Sequence, residues 1–62
     1  MNSLDYIVRC GDVRIAVRVV HEDASRDAYK ASLDPTHIGA LVVIERCGRI
    51  IERWQDGERR KS

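Results

Sequence analysis

The sequence predicts an α+β fold of order ββαββ, a four-stranded and largely antiparallel sheet with one short helix packed on one face. Three observations predict it. Two apolar stretches, 4–20 and 40–54, are each interrupted by a Cys-Gly pair, Cys10-Gly11 and Cys47-Gly48, as tight hairpins require. Between them lies one segment with helical signals, which the Asp34-Pro35 step disfavours continuing. The links are short, so each hairpin is antiparallel and the helix lies across a sheet face.

The first strand is expected at residues 4–9 and the second at 12–20. A two-residue turn pairs Arg9 with Asp12, Val8 with Val13, Tyr6 with Ile15 and Leu4 with Val17. The last three pairs share one apolar face, because side chains alternate along a strand. Asp5, Ile7, Arg14, Ala16 and Arg18 fall on the other. The helix is expected at 24–33. Asp23 or Ser25 caps it, Asp27 sits in its first turn, and Tyr29 and Leu33, four apart, face the sheet with Ala28 nearby.

The β-branched run Val42-Val43-Ile44 places a third strand at 40–46 and a fourth at 49–54. A three-residue loop pairs Glu45 with Arg49 and Ile44 with Ile50; a two-residue loop pairs Ile44 with Ile51. A competing reading starts a helix at Asp34-Pro35 and puts Ile50, Ile51 and Trp54 on one face of another helix over 49–60. Residues 1–56 form one compact domain, and 57–62 read as a polar, flexible tail. Arg-Cys-Gly occurs at both 9–11 and 46–48; three shared residues are met by chance and by the demands of turns.

A chain of 62 residues with no Phe, one Trp and two Tyr must build an aliphatic core. Domains this short bury only about 60% of their unfolded surface and commonly need a staple or a partner subunit. Basic and acidic residues nearly balance, 11 against 10, which gives no net-charge signal for a polyanion. The longest apolar run, 38–44, is too short to span a bilayer, and the first five residues lack a basic start and apolar signal core. A cytoplasmic location is expected.

Cys10 and Cys47 read as reduced turn cysteines, since a disulfide between them needs adjacent hairpin tips and is uncommon in the cytoplasm. Zinc coordination with His21 and His37 lacks any paired-ligand spacing, and Cys10 and His21 sit at opposite ends of an extended segment. The His21-Glu22-Asp23 cluster reads as a helix start, with both histidines at one end of the sheet. No phosphate loop, nucleophile elbow or Cys–His signature is present, so no catalytic residue, metal or cofactor is assigned.

The expected function is therefore a small, non-catalytic binding or regulatory module. It acts through protein–protein contact as a homodimer, with an exposed strand edge available for pairing. Trp54, Ile51 and Val43 are the interface candidates. Compact chains of this size are the kind encoded by phages and other mobile elements, an analogy of size alone. The alternative is nucleic-acid binding by the Arg-rich last third, through Arg46, Arg49, Arg53, Arg59 and Arg60, with Arg49, Ile51 and Arg53 on one strand face.

Overall fold

The computed structural model describes residues 4–60; Met1, Asn2 and Ser3 and, at the end of the expected tail, Lys61 and Ser62 lie outside the described residues. Six elements follow one another: β1 (Tyr6–Cys10), β2 (Val13–Arg18), α1 (His21–Leu33), β3 (Val42–Arg46), β4 (Arg49–Gln55) and β5 (Glu58–Arg60). The strands form one antiparallel sheet in the order β2-β1-β3-β4-β5. The class is α+β, but the sheet has five strands and the order is ββαβββ rather than ββαββ. The densest β-branched run supplies the central strand: Val42, Val43 and Ile44 of β3 are all buried. Residues 49–55 are strand, so the competing helix over 49–60 does not form.

The first hairpin turns one residue later than the sequence suggests. Gly11 and Asp12 form the turn and Cys10 pairs with Val13. Gly11 has φ +59, which the first central position of a II′ hairpin turn demands. Val8 then pairs with Ala16 and Arg9 with Arg14, leaving Ile15 as the extra residue of a β-bulge. That bulge moves Val17 opposite Ile7 and out of the face shared by Tyr6 and Val8. The pairs expected between Tyr6 and Ile15 and between Leu4 and Val17 are accordingly absent.

The second hairpin has a two-residue turn, Cys47-Gly48, with φ 56 and 76, and pairs Arg46 with Arg49 and Glu45 with Ile50. A second bulge follows at Ile51, so Ile44 meets Glu52 rather than Ile50 or Ile51. The repeated Arg-Cys-Gly thus does two jobs: Cys10 ends a strand, whereas Cys47 is inside a turn. The tips also lie at opposite ends of the antiparallel β1–β3 pair, since Cys10 is opposite Val42 at the start of β3. Cys10 and Cys47 are not joined by a disulfide.

Asp56 and Gly57, with φ 52 and 79, make a third such turn and return the chain as β5. Residues 58–60, expected in a frayed tail, are instead paired with β4. The turn is anchored: the Gly57 N–H donates to Ser32 Oγ at 2.8 Å, and Asp56 Oδ1 accepts from the Gly39 N–H at 3.0 Å. Gln55 Nε2 donates to Gly39 O at 2.9 Å. A Cβ on Gly57 would stand 2.7 Å from Leu33 Cδ2, whereas one on Gly48 meets nothing within 4 Å. Both glycines hold the same place in their turns. Gly57→Ala should therefore cost about 1–2 kcal/mol and exceed Gly48→Ala, the surplus being displacement of Leu33. Parallel urea melts measure the difference.

Helix α1 begins three residues before the expected start. Its N-cap is Val20, without a side-chain cap, and Glu22 and Asp23 occupy the first turn, where the helix dipole favours them. Asp34 Oδ1 accepts from the Thr36 N–H at 2.9 Å, closing a turn ahead of which the helix stops. The buried helical residues are Ala24, Ala28, Ala31 and Ser32; Tyr29 and Leu33, expected against the sheet, are exposed. The helix is held between an Arg18–Asp27 ion pair on the β2 side and a Tyr29–Trp54 edge contact on the β4 side, ring centroids 5.9 Å apart. The alanine line between these anchors faces the sheet and packs on Val8, Val42 and Ile44. Among the described residues no element covers the other sheet face.

Candidate functional site

Three features of the surface hold chemistry: a polar cluster at the start of α1, a cleft beside β2, and the uncovered sheet face. The first centres on Glu52, buried on the helix side of β4. Its Oε2 accepts from Ser25 Oγ at 2.7 Å and from Trp54 Nε1 at 2.6 Å, and its Oε1 lies 2.9 Å from His21 Nε2. Arg59 Nη1 stands 3.8 Å away. Burial pushes the Glu52 carboxyl up, but the hydrogen bonds from Ser25, Trp54 and His21, with the charge of His21, outweigh it and hold the group below its ordinary range.

Serine, histidine and a carboxylate in contact invite comparison with a nucleophile relay. The geometry is different. Such a relay puts the carboxylate on one imidazole nitrogen and the hydroxyl on the other. Here Ser25 Oγ, at 3.3 Å, and Glu52 both address His21 Nε2, and the serine proton is committed to Glu52. The cluster is a staple between α1 and β4. It also separates the histidines: His21 opens the helix, while His37 lies beyond its other end, about 20 Å along a 13-residue helix. The expectation that both lie at one end of the sheet is overturned.

The cleft, of about 270 Å³, opens between β2 and α1. Ile15, Ala16 and Ala31 form its apolar part, with Arg18, Lys30, Asp27, Asp34 and His37 around them. Cations and carboxylates alternate, and Arg18 is already paired with Asp27. The cleft therefore favours neither sign of ligand.

The uncovered face is more ordered. Cross-strand partners place Arg14, Arg9, Val43, Arg53 and Arg60 side by side across β2, β1, β3, β4 and β5. Four of the five positions in this row are arginine, over about 19 Å of sheet. A neighbouring row, about 7 Å along the strands, holds Val17, Ile7, Glu45 and Ile50. Arg9 pairs with Glu45 and also donates to Gly11 O at 2.7 Å; Arg60 lies 3.8 Å from Glu58. Val43 is buried yet takes no part in the cluster beneath the helix. Its cross-strand neighbours are Arg9 and Arg53, long basic side chains of the kind that cover apolar surface.

The sequence candidates divide between the faces. Val43 belongs to the uncovered face and is buried; Ile51 is exposed in the bulge; Trp54 is half-buried on the helix side against Tyr29. They do not form one surface. Of the arginines, Arg53 and Arg60 are on the uncovered face. Arg46 donates to Leu4 O at 2.9 Å and lies 4.7 Å from the Tyr6 ring centroid; Arg49 is opposite it, and Arg59 is opposite Trp54. The expected Arg49–Ile51–Arg53 stripe is broken by the bulge, which breaks the alternation between Arg49 and Arg53. Arg9 and Arg14, absent from that stripe, complete the observed row. Their i, i+5 spacing across a turn is a sequence signal only once the register is known.

The strand edges are poor docking sites. β5 has three residues, all exposed and all charged, and β2 carries a bulge with Arg14 and Arg18. Short, charged and bulged edges are those that resist strand addition. Among the described residues no group of three or more His, Cys, Asp or Glu is gathered to hold a metal, and no helix is long and apolar enough to cross a membrane. No protein-family model matches the chain, and neither the curated proteins nor the solved structures contain a match to it.

Proposed function

We propose that this chain is a non-catalytic binding module that engages another protein through the uncovered sheet face. One observation carries the reading: among the described residues a five-stranded sheet is covered by a helix on one side only, and its other side presents Val17 and Ile7 side by side, with Ile50 beyond Glu45 in the same row. A sheet face with aliphatic side chains and no covering element is a surface suited to a partner. The blunted edges argue for the face over strand addition.

A second copy is the less favoured partner. The sheet outlines roughly 400 Å², about half of what each side of a standard stable interface buries. Stacking two such faces would also crowd two arginine rows. The chain is therefore expected to remain monomeric through the micromolar range in light scattering during size exclusion. The double variant Val17→Thr, Ile50→Thr should leave its thermal melt nearly unchanged, because both side chains are exposed. A large loss of stability would assign the aliphatic row to the fold and overturn the reading.

Nucleic-acid binding is the second reading, favoured by the arginine row. Against it, Tyr6, Tyr29 and Trp54 all lie on the helix side, leaving no aromatic platform for bases among the described residues of this face. Glu45 and Glu58 also weaken the field. Titration with single- and double-stranded oligonucleotides at two salt concentrations tests it; absence of binding at low salt removes it.

A further inference from the structure

We infer that the cleft between β2 and α1 binds a small zwitterion, an α-amino acid with an aliphatic side chain. The inference goes beyond the protein-contact reading, since the cleft shares no residue with the row of Val17, Ile7 and Ile50. Its apolar floor comes from a departure from strand regularity. Successive residues of a regular strand point to opposite faces. Ile15 is the extra residue of the β2 bulge, and Ile15 and Ala16 both line the cleft. Ala31 lines it from the helix. Because Ala16 and Ala31 are small, a hollow of about 270 Å³ remains where larger side chains would close the gap between strand and helix. That volume lies just below the range of pockets for drug-sized ligands and suits a smaller one.

Charges of both signs surround this floor, and they are not all spent on one another. Arg18 is paired with Asp27. Lys30 and Asp34 stand four residues apart, one helical turn or about 6 Å along the axis. Among the described residues Lys30 has no ion-pair partner. Lysine ahead of a carboxylate at this spacing is the weaker order for a helical pair. The Asp34 carboxyl is held below its ordinary range, chiefly by the Thr36 N–H, and so is charged at neutral pH. An anion alone would face Asp27 and Asp34, and a cation alone would face Arg18 and Lys30. A zwitterion answers both: its carboxylate takes Lys30, its ammonium takes Asp34, and its side chain covers Ile15, Ala16 and Ala31. An adjoining hollow beyond Arg18 and Lys30 is lined by charged side chains, so the aliphatic part belongs to the first. A peptide terminus brings only one of the two charges, and the bulged edge of β2 resists the strand pairing that would hold the rest of a peptide.

The test titrates the whole chain with L-leucine, read by amide chemical shifts. Concentrations up to about 20 mM reach well past the dissociation constant of about 1 mM expected for so few atoms in an open cleft. Shifts should be confined to residues 15–18 and 27–37. N-acetyl-leucine lacks the ammonium, leucinamide lacks the carboxylate and glycine lacks the side chain; each should bind at least about tenfold more weakly. Lys30→Ala and Asp34→Asn should each lose about tenfold in affinity, whereas Arg53→Ala, on the uncovered face, should lose none. Asparagine keeps an oxygen to accept from the Thr36 N–H, so the helix end persists, and unchanged melts show that the variants fold. Absence of shifts at the highest concentration, shifts outside the cleft, or full affinity in both cleft variants would overturn the inference. Equal binding of N-acetyl-leucine or leucinamide would also overturn it, in favour of a peptide terminus. The sheet face takes no part in the titration, so failure here leaves the protein-contact reading standing.

Discussion

Glu52→Ala is expected to cost about 2–4 kcal/mol and to lower the melting temperature by more than about 10 °C. The magnitude follows from what is left behind. Glu52 gathers the Ser25 hydroxyl, the Trp54 indole N–H and His21, and its removal takes the acceptor from the half-buried Ser25 and Trp54 donors at the helix–sheet junction. An unmade hydrogen bond of this kind costs more than a made one contributes, because the donor has already given up water. The helix has no side-chain cap at Val20, so this staple is also what fixes its first turns. Glu52→Gln should lose less, about 1–2 kcal/mol, since a carboxamide keeps one acceptor oxygen and turns a donor toward the remaining groups. Guanidinium melts followed at Trp54 fluorescence measure both. A loss below about 0.5 kcal/mol for the alanine variant would show that water replaces the carboxylate without cost.

The same residue sets a pH dependence with a defined sign. The folded protein holds the Glu52 carboxyl below its ordinary value. Its contribution is therefore complete above the ordinary carboxylate range of about 4.3, and it is lost as pH falls through the lowered folded value. The stability gap between the wild type and Glu52→Gln should narrow as pH is taken from about 6 to below 4.

Much of this architecture is legible in the residues, and the failures share a cause. The hairpins, the helix and the stop at Asp34-Pro35 follow from turn chemistry and β-branched runs. The two bulges do not. Ile15 and Ile51 look like any apolar strand residue, yet each is the extra residue that breaks the alternation around it. Val17 leaves the core face for that reason, and Glu52 comes opposite Ile44, beneath the helix. The arginine row is hidden by the same device, because it depends on Arg9 meeting Arg14 and Val43 meeting Arg53. β5 was legible in Asp56-Gly57, a strong hairpin signal, but its strand residues, Glu-Arg-Arg, are strand-poor in composition. Contacts from Ser32 and Gly39 order the turn that propensity alone leaves open.

Ile44→Ala should remove a large part of the domain's stability. Ile44 is the largest fully buried side chain, and the cluster around it is otherwise made of valines and alanines. A domain of this length holds roughly 3–9 kcal/mol of stability, and emptying such a site costs about 2–5 kcal/mol. The surroundings have little capacity to collapse into the space: Ala24, Ala28 and Ala31 have no further side chain to extend, and Val8 and Val42 are fixed in neighbouring strands. Ile44→Val removes one methyl and should cost only about 1 kcal/mol. Ile51→Ala is the matched control, the same chemistry at an exposed bulge, and should cost under about 1 kcal/mol. Urea melts of these variants and of Ile50→Ala separate a core on one side of the sheet from a core on both. If Ile50→Ala, on the uncovered face, approaches Ile44→Ala in cost, the second face is buried within the single chain, and no surface remains there for a partner.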